Sequence, residues 1–331
     1  MRVKPKKILV TGGAGFIGSA FIRCVLAHQD AIEGVINLDC LSYAADLSNL
    51  APIENDPRYF FVKGDICNQE LVQTIVKQHK IDTIVHFAAQ THVDRSIDSP
   101  LIFCITNVQG TLHLLEVVRK FPHIHFHHVS TDEVYGSLGL EGSFSEKSPI
   151  LPNSPYAASK AASDHFVRAY AHTYGLSVTL SHCSNNYGPC QHMEKFIPHM
   201  LLCMHEHKTL PVYGRGENIR DWLYVDDHAD AIWTILQKGE LGQTYNIGGG
   251  FEAPNIEILD KLILMYCSKT LVQYENIKKL IRFVQDRPGH DYRYSIDASK
   301  IHQTLGWRPK HLFEDGIEKT VSWYLENKFK G

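Results

Sequence analysis

Apolar and polar positions alternate along the chain in two rhythms. Short β-branched or aromatic runs at residues 7–10, 35–38, 59–62, 83–87, 126–130 and 177–181 have the length and flanking turns of buried strands. Between them lie longer segments with apolar residues three and four apart, strongest over 101–119 and 156–174, which predicts helices with one buried face. Alternation of this kind builds right-handed crossovers on a parallel sheet. After about Asn185 the rhythm loosens. Gly214-Arg215-Gly216, Gly248-Gly249-Gly250 and Asp286-Arg287-Pro288-Gly289 mark turns between shorter elements, and 313–328 reads as an amphipathic terminal helix. The expected fold is α/β: a doubly wound parallel sheet over residues 1–184 and a smaller α/β C-terminal lobe over 185–331, with room for elements of the two to interleave. No repeat, low-complexity tract or long linker separates the two parts, so they should share an interface and a cleft.

Composition narrows the function classes. The chain has 331 residues, 44% of them hydrophobic, enough for a sizeable core. A formal net charge of −3 supplies no field for nucleic acid or an anionic membrane surface, so anionic ligands must be held locally. The basic segment at residues 1–7 leads into apolar residues, but Thr11, Gly12 and Gly13 interrupt them, and no run of about 18 apolar residues follows. Neither a signal peptide nor a membrane span is expected. Eight cysteines form no Cys-x-x-Cys pair, which fits reduced, buried thiols in a cytoplasmic protein without disulfides or zinc. The strand bearing His123, His125, His127 and His128 puts three histidines on one face, but a buried parallel strand leaves no open coordination position, so no metal is expected.

The first strand runs directly into Gly12-Gly13-Ala14-Gly15-Phe16-Ile17-Gly18, and a helical pattern begins at once. A glycine turn lets backbone amides approach a pyrophosphate, and the helix start adds positive potential. The same turn can serve tight packing alone. Asp39 at the end of the second strand completes a dinucleotide fingerprint of the Rossmann type, and its charge favours an unphosphorylated ribose, hence NAD. Asp65-Ile66 after the third strand and Phe87-Ala88-Ala89 after the fourth stand where adenine and cofactor pass; each also reads as an ordinary strand-end turn.

Tyr156 and Lys160, four apart on a predicted helix, share a face on which an ammonium can stabilise a phenolate. Three other pairs have this spacing, Tyr59/Lys63, Tyr274/Lys278 and Tyr324/Lys328, but only Tyr156 opens a helix after the fifth strand. At that strand's end stand Thr131, Asp132 and Glu133. Two adjacent acids form either a capping turn or, beside a cofactor, a general acid and base.

With these segments in place the chain resembles the extended short-chain dehydrogenases, and within them the dTDP-glucose 4,6-dehydratase family, over nearly its whole length from Ile8 to Trp307. The segments that carry the resemblance include Gly12 to Ser19, His86 to Ala89 with His92 to Ser96, Ser130 to Gly136, Tyr156 to Lys160, Asn185 to Pro189, Arg220 to Val225 and Asp286 to Asp291. The resemblance implies oxidation of a hexose at carbon 4 with Tyr156 as base and Thr131 on the same oxygen. It then implies loss of water through Glu133 as base and Asp132 as acid. Among cofactor contacts it implies Leu41, Ser42, Thr91, Thr106 and Asn186 besides the residues above. For the nucleotide-sugar substrate it implies Thr91, Thr131 and Phe196, with Asn185, Lys195, Arg220, Arg287 and His290 near the diphosphate and Pro211, Val212, Tyr213 and Asn255 near the nucleoside. It further implies a homodimer through the two long helices. Three departures bear on nucleotide preference: His182 stands where the family usually has Arg, His192-Met193 where it has Phe-Pro, and Gln90-Thr91 where it often has Glu-Ser. Rival readings are an epimerase or decarboxylase on the same scaffold and, from another class, a catalytically silent NAD-binding regulator.

Overall fold

The computed structural model describes residues 4–28 and 31–329; the first three residues of the basic amino-terminal segment lie outside them. The first half alternates as the pattern predicts: β1 (Lys7–Thr11), α1 (Phe16–Ala27), β2 (Gly34–Asp39), β3 (Tyr59–Lys63), α2 (Gln69–His79) and β4 (Thr83–His86). It continues with α3 (Val93–Asp98), α4 (Pro100–Phe103), α5 (Gly110–Lys120), β5 (His125–Thr131), α6 (Pro155–Tyr174) and β6 (Val178–Cys183). The second half comprises β7 (Asn185–Tyr187), α7 (Phe196–His205), β8 (Leu210–Tyr213), β9 (Ile219–Tyr224), α8 (Val225–Lys238) and β10 (Thr244–Ile247). Then follow β11 (Glu252–Pro254), α9 (Asn255–Thr270), α10 (Tyr274–Lys278), β12 (Ile281–Val284), α11 (Ser299–Leu305) and α12 (Phe313–Asn327).

The main sheet has seven strands in the order β10-β6-β5-β4-β1-β2-β3, all pairings parallel. One face is covered by α1 and α8 around Phe21, Val25, Ile232 and Ile235. The other is covered by α2 and α5 around Val72, Ile75, Leu114 and Val118. Strand order reverses beside β1, between it and β4, so the carboxyl ends of β1 and β4 diverge into a crevice. Strand β10 and helix α8 come from beyond residue 184, so the sheet draws on chain from both sides of that position. A separate core built on α7, α9 and α12, with Leu201, Leu262 and Tyr324, backs the three-stranded β11-β9-β7 and two-stranded β12-β8 sheets.

Two sequence expectations need correction. The segment 101–119 is not one regular helix: Cys104–Gln109 forms a π turn between α4 and α5. Taken together, Pro100–Lys120 is by length and composition long and apolar enough to cross a membrane, with mean hydropathy 1.5, although Phe103, Leu114, Leu115, Val117 and Val118 are buried against neighbouring elements. In addition, Cys40 and Cys104 are exposed rather than buried.

Candidate active site

A cavity of about 400 Å³ opens at the carboxyl ends of the main sheet. Its floor is the turn between β1 and α1. Gly12 takes φ +72°, and a Cβ there would lie 2.7 Å from the Ala88 backbone; one on Gly18 would lie 2.3 Å from the Gly12 carbonyl oxygen. A side chain on Gly12 would force the turn away from the β4 loop, and one on Gly18 would push the start of α1 off the turn. Gly15 precedes α1 with no side-chain cap, which leaves first-turn amides free for an anion. The Asp39 carboxylate accepts from Ala14 N at 2.9 Å and Leu41 N at 2.8 Å, and burial raises its pKa. Gly15, Phe16, Ile17, Ser42, Asp65, Ile66, Phe87, Ala88, Ala89, Thr91, Thr106 and Asn186 line the same cavity. Leu41 is not among its lining residues: at φ 57°, with its amide on Asp39, it shapes the loop.

The reactive groups stand at the other end of this cavity, which Thr131, Asp132, Glu133, Tyr156 and Lys160 also line. Ser154 Oγ accepts from Ala157 N at 3.1 Å and Pro155 fills the first position of α6, so the helix starts one residue before Tyr156. The π turn then explains a residue that sequence reasoning missed. It turns buried Asn107 toward α6, where its Nδ2 donates to Ser159 Oγ at 2.8 Å while its Oδ1 accepts from Gln90 N at 2.8 Å. Ser159 in turn donates to the Tyr156 carbonyl at 2.7 Å. A break of this kind inside an apolar helix leaves little trace in the hydrophobic pattern.

Thr131 ends β5 and its Oγ1 accepts from Glu133 N at 3.3 Å, capping the short turn Asp132–Tyr135. This places the two carboxyls in unlike surroundings. Burial, then the charges of Glu133 and Asp221, push Asp132 well above the usual carboxylate range, and its Oδ2 is buried without a partner. Burial also raises Glu133, but Arg287, Arg220 and Lys195 all pull it back down. Of the two, Asp132 is held the more strongly toward its protonated form. Burial pushes the Tyr156 phenol well above its ordinary value, Glu133 adds to that, and the Thr131 hydroxyl opposes it. Lys160, expected to lower the phenol, is itself lowered to about 8 by burial and donates to the Val129 carbonyl at 2.9 Å.

Of the expected substrate contacts, Asn185 and Lys195 line the cavity beside Thr91, and Lys195 Nζ donates to the Thr91 carbonyl at 2.9 Å. Phe196, Pro211, Val212, Tyr213, Arg220, Asn255, Arg287 and His290 lie outside its lining. Val212 is buried in the second core and Phe196 packs against it. Arg220 is buried, donating to the Asp291 carbonyl at 3.0 Å. Arg287 lies 3.6 Å from Asp94, Tyr213 donates to the same carboxylate at 3.3 Å, and His290 lies 2.6 Å from Asp286. Asn255 begins α9, its amide on the Asn218 carbonyl. The cations nevertheless act on the reactive end, as the effect of Arg287 and Arg220 on Glu133 shows. Sequence reasoning also missed Glu194, a cavity residue that accepts from Tyr43 OH at 3.0 Å and lies 3.4 Å from Arg95, tying two loops to α3. The other Tyr/Lys pairs are engaged elsewhere: Tyr59 accepts from Asn37, Tyr274 donates to Asp260 and Tyr324 to the Gln191 carbonyl. His125 and His127 reach Thr179 at 2.9 and 2.8 Å.

Comparison with known proteins agrees with this geometry. The GDP-mannose 4,6 dehydratase family model matches residues 9–320. The chain is similar to a dTDP-glucose 4,6-dehydratase of Haemophilus influenzae, 49% identical with 97% of this chain and 98% of the relative covered. One of Escherichia coli is also 49% identical, covering 97% and 94%. Among solved structures, the dTDP-glucose 4,6-dehydratase of Streptomyces venezuelae with NAD bound superposes with TM-score 0.91 at 47% identity, covering 97% of this chain and 98% of that one. A UDP-glucose 4-epimerase of Thermotoga maritima shares the scaffold at TM-score 0.86 but only 28% identity, covering 97% and 99%.

Proposed function

The chain belongs to the dTDP-glucose 4,6-dehydratase family, and from that premise we propose that it dehydrates dTDP-glucose to the 4-keto-6-deoxy sugar at the cavity described above. The single observation that carries this reading is the pair of unlike carboxyls, Asp132 and Glu133, lining one cavity with Tyr156. Epimerisation on the same scaffold needs no acid beside a base.

The glycine cradle, the uncapped start of α1 and the buried Asp39 carboxylate fit NAD. When bound there, that cofactor supplies a hydride acceptor for carbon 4 and afterwards a donor for carbon 6. The chain's own groups move the protons. Tyr156 takes the proton of the carbon 4 hydroxyl while Thr131 hydrogen-bonds the same oxygen. The resulting ketone acidifies carbon 5, from which Glu133 removes a proton, and Asp132 protonates the carbon 6 hydroxyl so that it leaves as water; Glu133 then returns its proton to carbon 5 as carbon 6 is reduced. Lys160 supports the phenol from the adjacent turn of α6. Residues 1–184 mainly hold the cofactor and 185–331 the nucleotide-sugar, with Asn185 and Lys195 reaching the cleft and Arg220, Arg287 and His290 on its far side toward the diphosphate. Tyr213, Asn255 and the strand at Pro211 and Val212 lie toward the nucleoside. Incubating the protein with dTDP-glucose and NAD should give the alkaline ultraviolet absorbance of a 4-keto sugar. NAD binding without that product would favour the silent regulator, and turnover of UDP-sugars alone would move the assignment to another nucleotide.

The eight cysteines are all free, as suits a cytoplasmic enzyme. The same reading includes a homodimer. Leu101 (71% exposed), Ile102 and Ile105 on the stretch through α4 and the π turn, and Phe166 and Tyr174 on α6, present apolar surface of the kind buried between subunits. Light scattering should give twice the chain mass, and Leu101→Glu with Ile105→Glu should shift it to the monomer; a monomeric wild type at micromolar concentration would remove this part of the proposal.

A further inference from the structure

Beneath Lys160, on the side away from the cavity, runs a chain of buried polar side chains that the reaction above does not use. Lys160 Nζ lies 3.4 Å from His128 Nε2. That nitrogen is also 3.1 Å from Ser163 Oγ and 3.3 Å from Asp164 Oδ1. The second oxygen of Asp164 is 2.8 Å from His182 Nε2, and His182 Nδ1 is 2.6 Å from Tyr135 OH. Tyr135 donates to Asn246 Oδ1 at 2.8 Å. The side chains of His128, Asp164 and His182 are fully buried.

The hydrogen-bond directions along this chain fix a protonation state. Asn246 Nδ2 faces two carbonyl oxygens, those of Phe144 and Asp297, which can only accept, so Oδ1 is the atom turned toward Tyr135. Tyr135 has one proton and uses it on that oxygen. Its own oxygen must then accept from His182, which makes Nδ1 a donor. On the other side Nε2 faces a carboxylate, which makes it a donor too. Both ring nitrogens of His182 carry protons, and the ring is an imidazolium paired with Asp164. Ser163 Oγ spends its proton on the Lys160 carbonyl at 2.7 Å, so it accepts from His128 Nε2, which is therefore a donor. Facing a second donor, the Lys160 ammonium turns to the Val129 carbonyl, while His182 offsets the Asp164 charge on the far side. If His182 were neutral, the buried Asp164 charge would be uncompensated and would pull on the Lys160 ammonium, drawing it off the Val129 carbonyl.

We propose that His182, as a buried imidazolium on Asp164, is a positioning residue that sets the aim and charge of Lys160 through Asp164, and so the rate of oxidation at carbon 4. The idea rests on the functional reading given for Tyr156 and Lys160. The titratable and charged groups that face the cluster are Lys160 and Arg168 on α6, His86 on β4 with its ring 5.3 Å from that of His128, Tyr135 and Glu146 after β5, and Cys183 at the end of β6. Burial, and then Lys160, lower His128 to about 4, so His128 is neutral and the positive charge of the histidine pair resides on His182.

Two measurements test it. In protein labelled with ¹⁵N-histidine and saturated with NAD, one histidine should show both ring nitrogens protonated at neutral pH, and His182→Gln should remove that signal. A neutral His182 in this spectrum overturns the proposal whatever the enzyme catalyses, because the measurement needs no turnover. Rapid-mixing kinetics with dTDP-glucose should show cofactor reduction slowed about tenfold or more in His182→Gln with KM little changed. In His182→Arg, which keeps the charge, the rate should stay within about threefold of wild type. Equal rates in His182→Gln and wild type, or a His182→Arg protein that is folded by circular dichroism yet as slow as His182→Gln, would also overturn it.

Discussion

Replacing Tyr156 by phenylalanine should lower kcat by about 10² to 10⁴, with KM changed little and NAD still bound. The variant loses one oxygen at the reactive end of the cavity and nothing from the glycine cradle, so the loss belongs to proton transfer at carbon 4. The structure sharpens the reason. To act as a base near neutrality an ordinary phenol, with a pKa of about 10, needs a shift of about three units, or about 4 kcal/mol. In this chain the demand is larger, because burial and then Glu133 push Tyr156 upward. Lys160 does not close that gap alone: its ammonium donates to the Val129 carbonyl and acts on the phenol only through its charge. The compensating positive charge must come with the bound nicotinamide, so Tyr156 should become basic only in the cofactor complex. Ultraviolet titration should show no tyrosinate attributable to Tyr156 at neutral pH without NAD. Retention of more than about a tenth of wild-type kcat in the Tyr156→Phe protein would rule out the phenol as the base.

The sheet and the dinucleotide end of the site were legible in the sequence because each residue there has a local reason to be what it is. Gly12 is demanded by its own positive φ and Gly18 by the nearby Gly12 carbonyl, and β-branched or aromatic runs mark most of β1 to β6 whatever packs on them. What could not be read was set by distant chain. β10 joins β6 although its four residues, Thr244–Ile247, follow a helix that already looks like part of the second lobe. Asn107 acts on the catalytic helix only because a π turn redirects it, and the hydrophobic period of 101–119 continues through that turn. Glu194 and Tyr43 read as unremarkable loop residues until the fold brings them within hydrogen-bonding distance. His182 reads as the loss of a fixed positive charge when set against the family pattern, and its buried partners Asp164 and Tyr135 come together only in the fold.

The second large effect concerns the two carboxyls. Glu133→Gln should leave oxidation at carbon 4 in place and stop the reaction there, so that a single turnover ends with reduced cofactor and a 4-keto hexose, and overall kcat falls by about 10² to 10⁴. Asp132→Asn should also slow loss of water, and its pH profile should change shape. Glu133 must be ionised to act, so activity is lost as pH falls through its raised pKa. Asp132 must be protonated, so activity is lost as pH rises through its own, which lies well above the usual range. Wild-type kcat should therefore be bell-shaped, and because the two groups interact, each limb reports the pair rather than one residue. Asn cannot lose a proton in this range, so the alkaline limb due to Asp132 should vanish in Asp132→Asn while the acidic limb stays. Arg287→Ala removes the cation that does most to hold Glu133 down, and should move the acidic limb to higher pH without touching the alkaline one. If instead Glu133→Gln fails to reduce the cofactor at all, the base acts before the ketone exists, and the order of proton transfers argued from Tyr156, Glu133 and Asp132 is wrong.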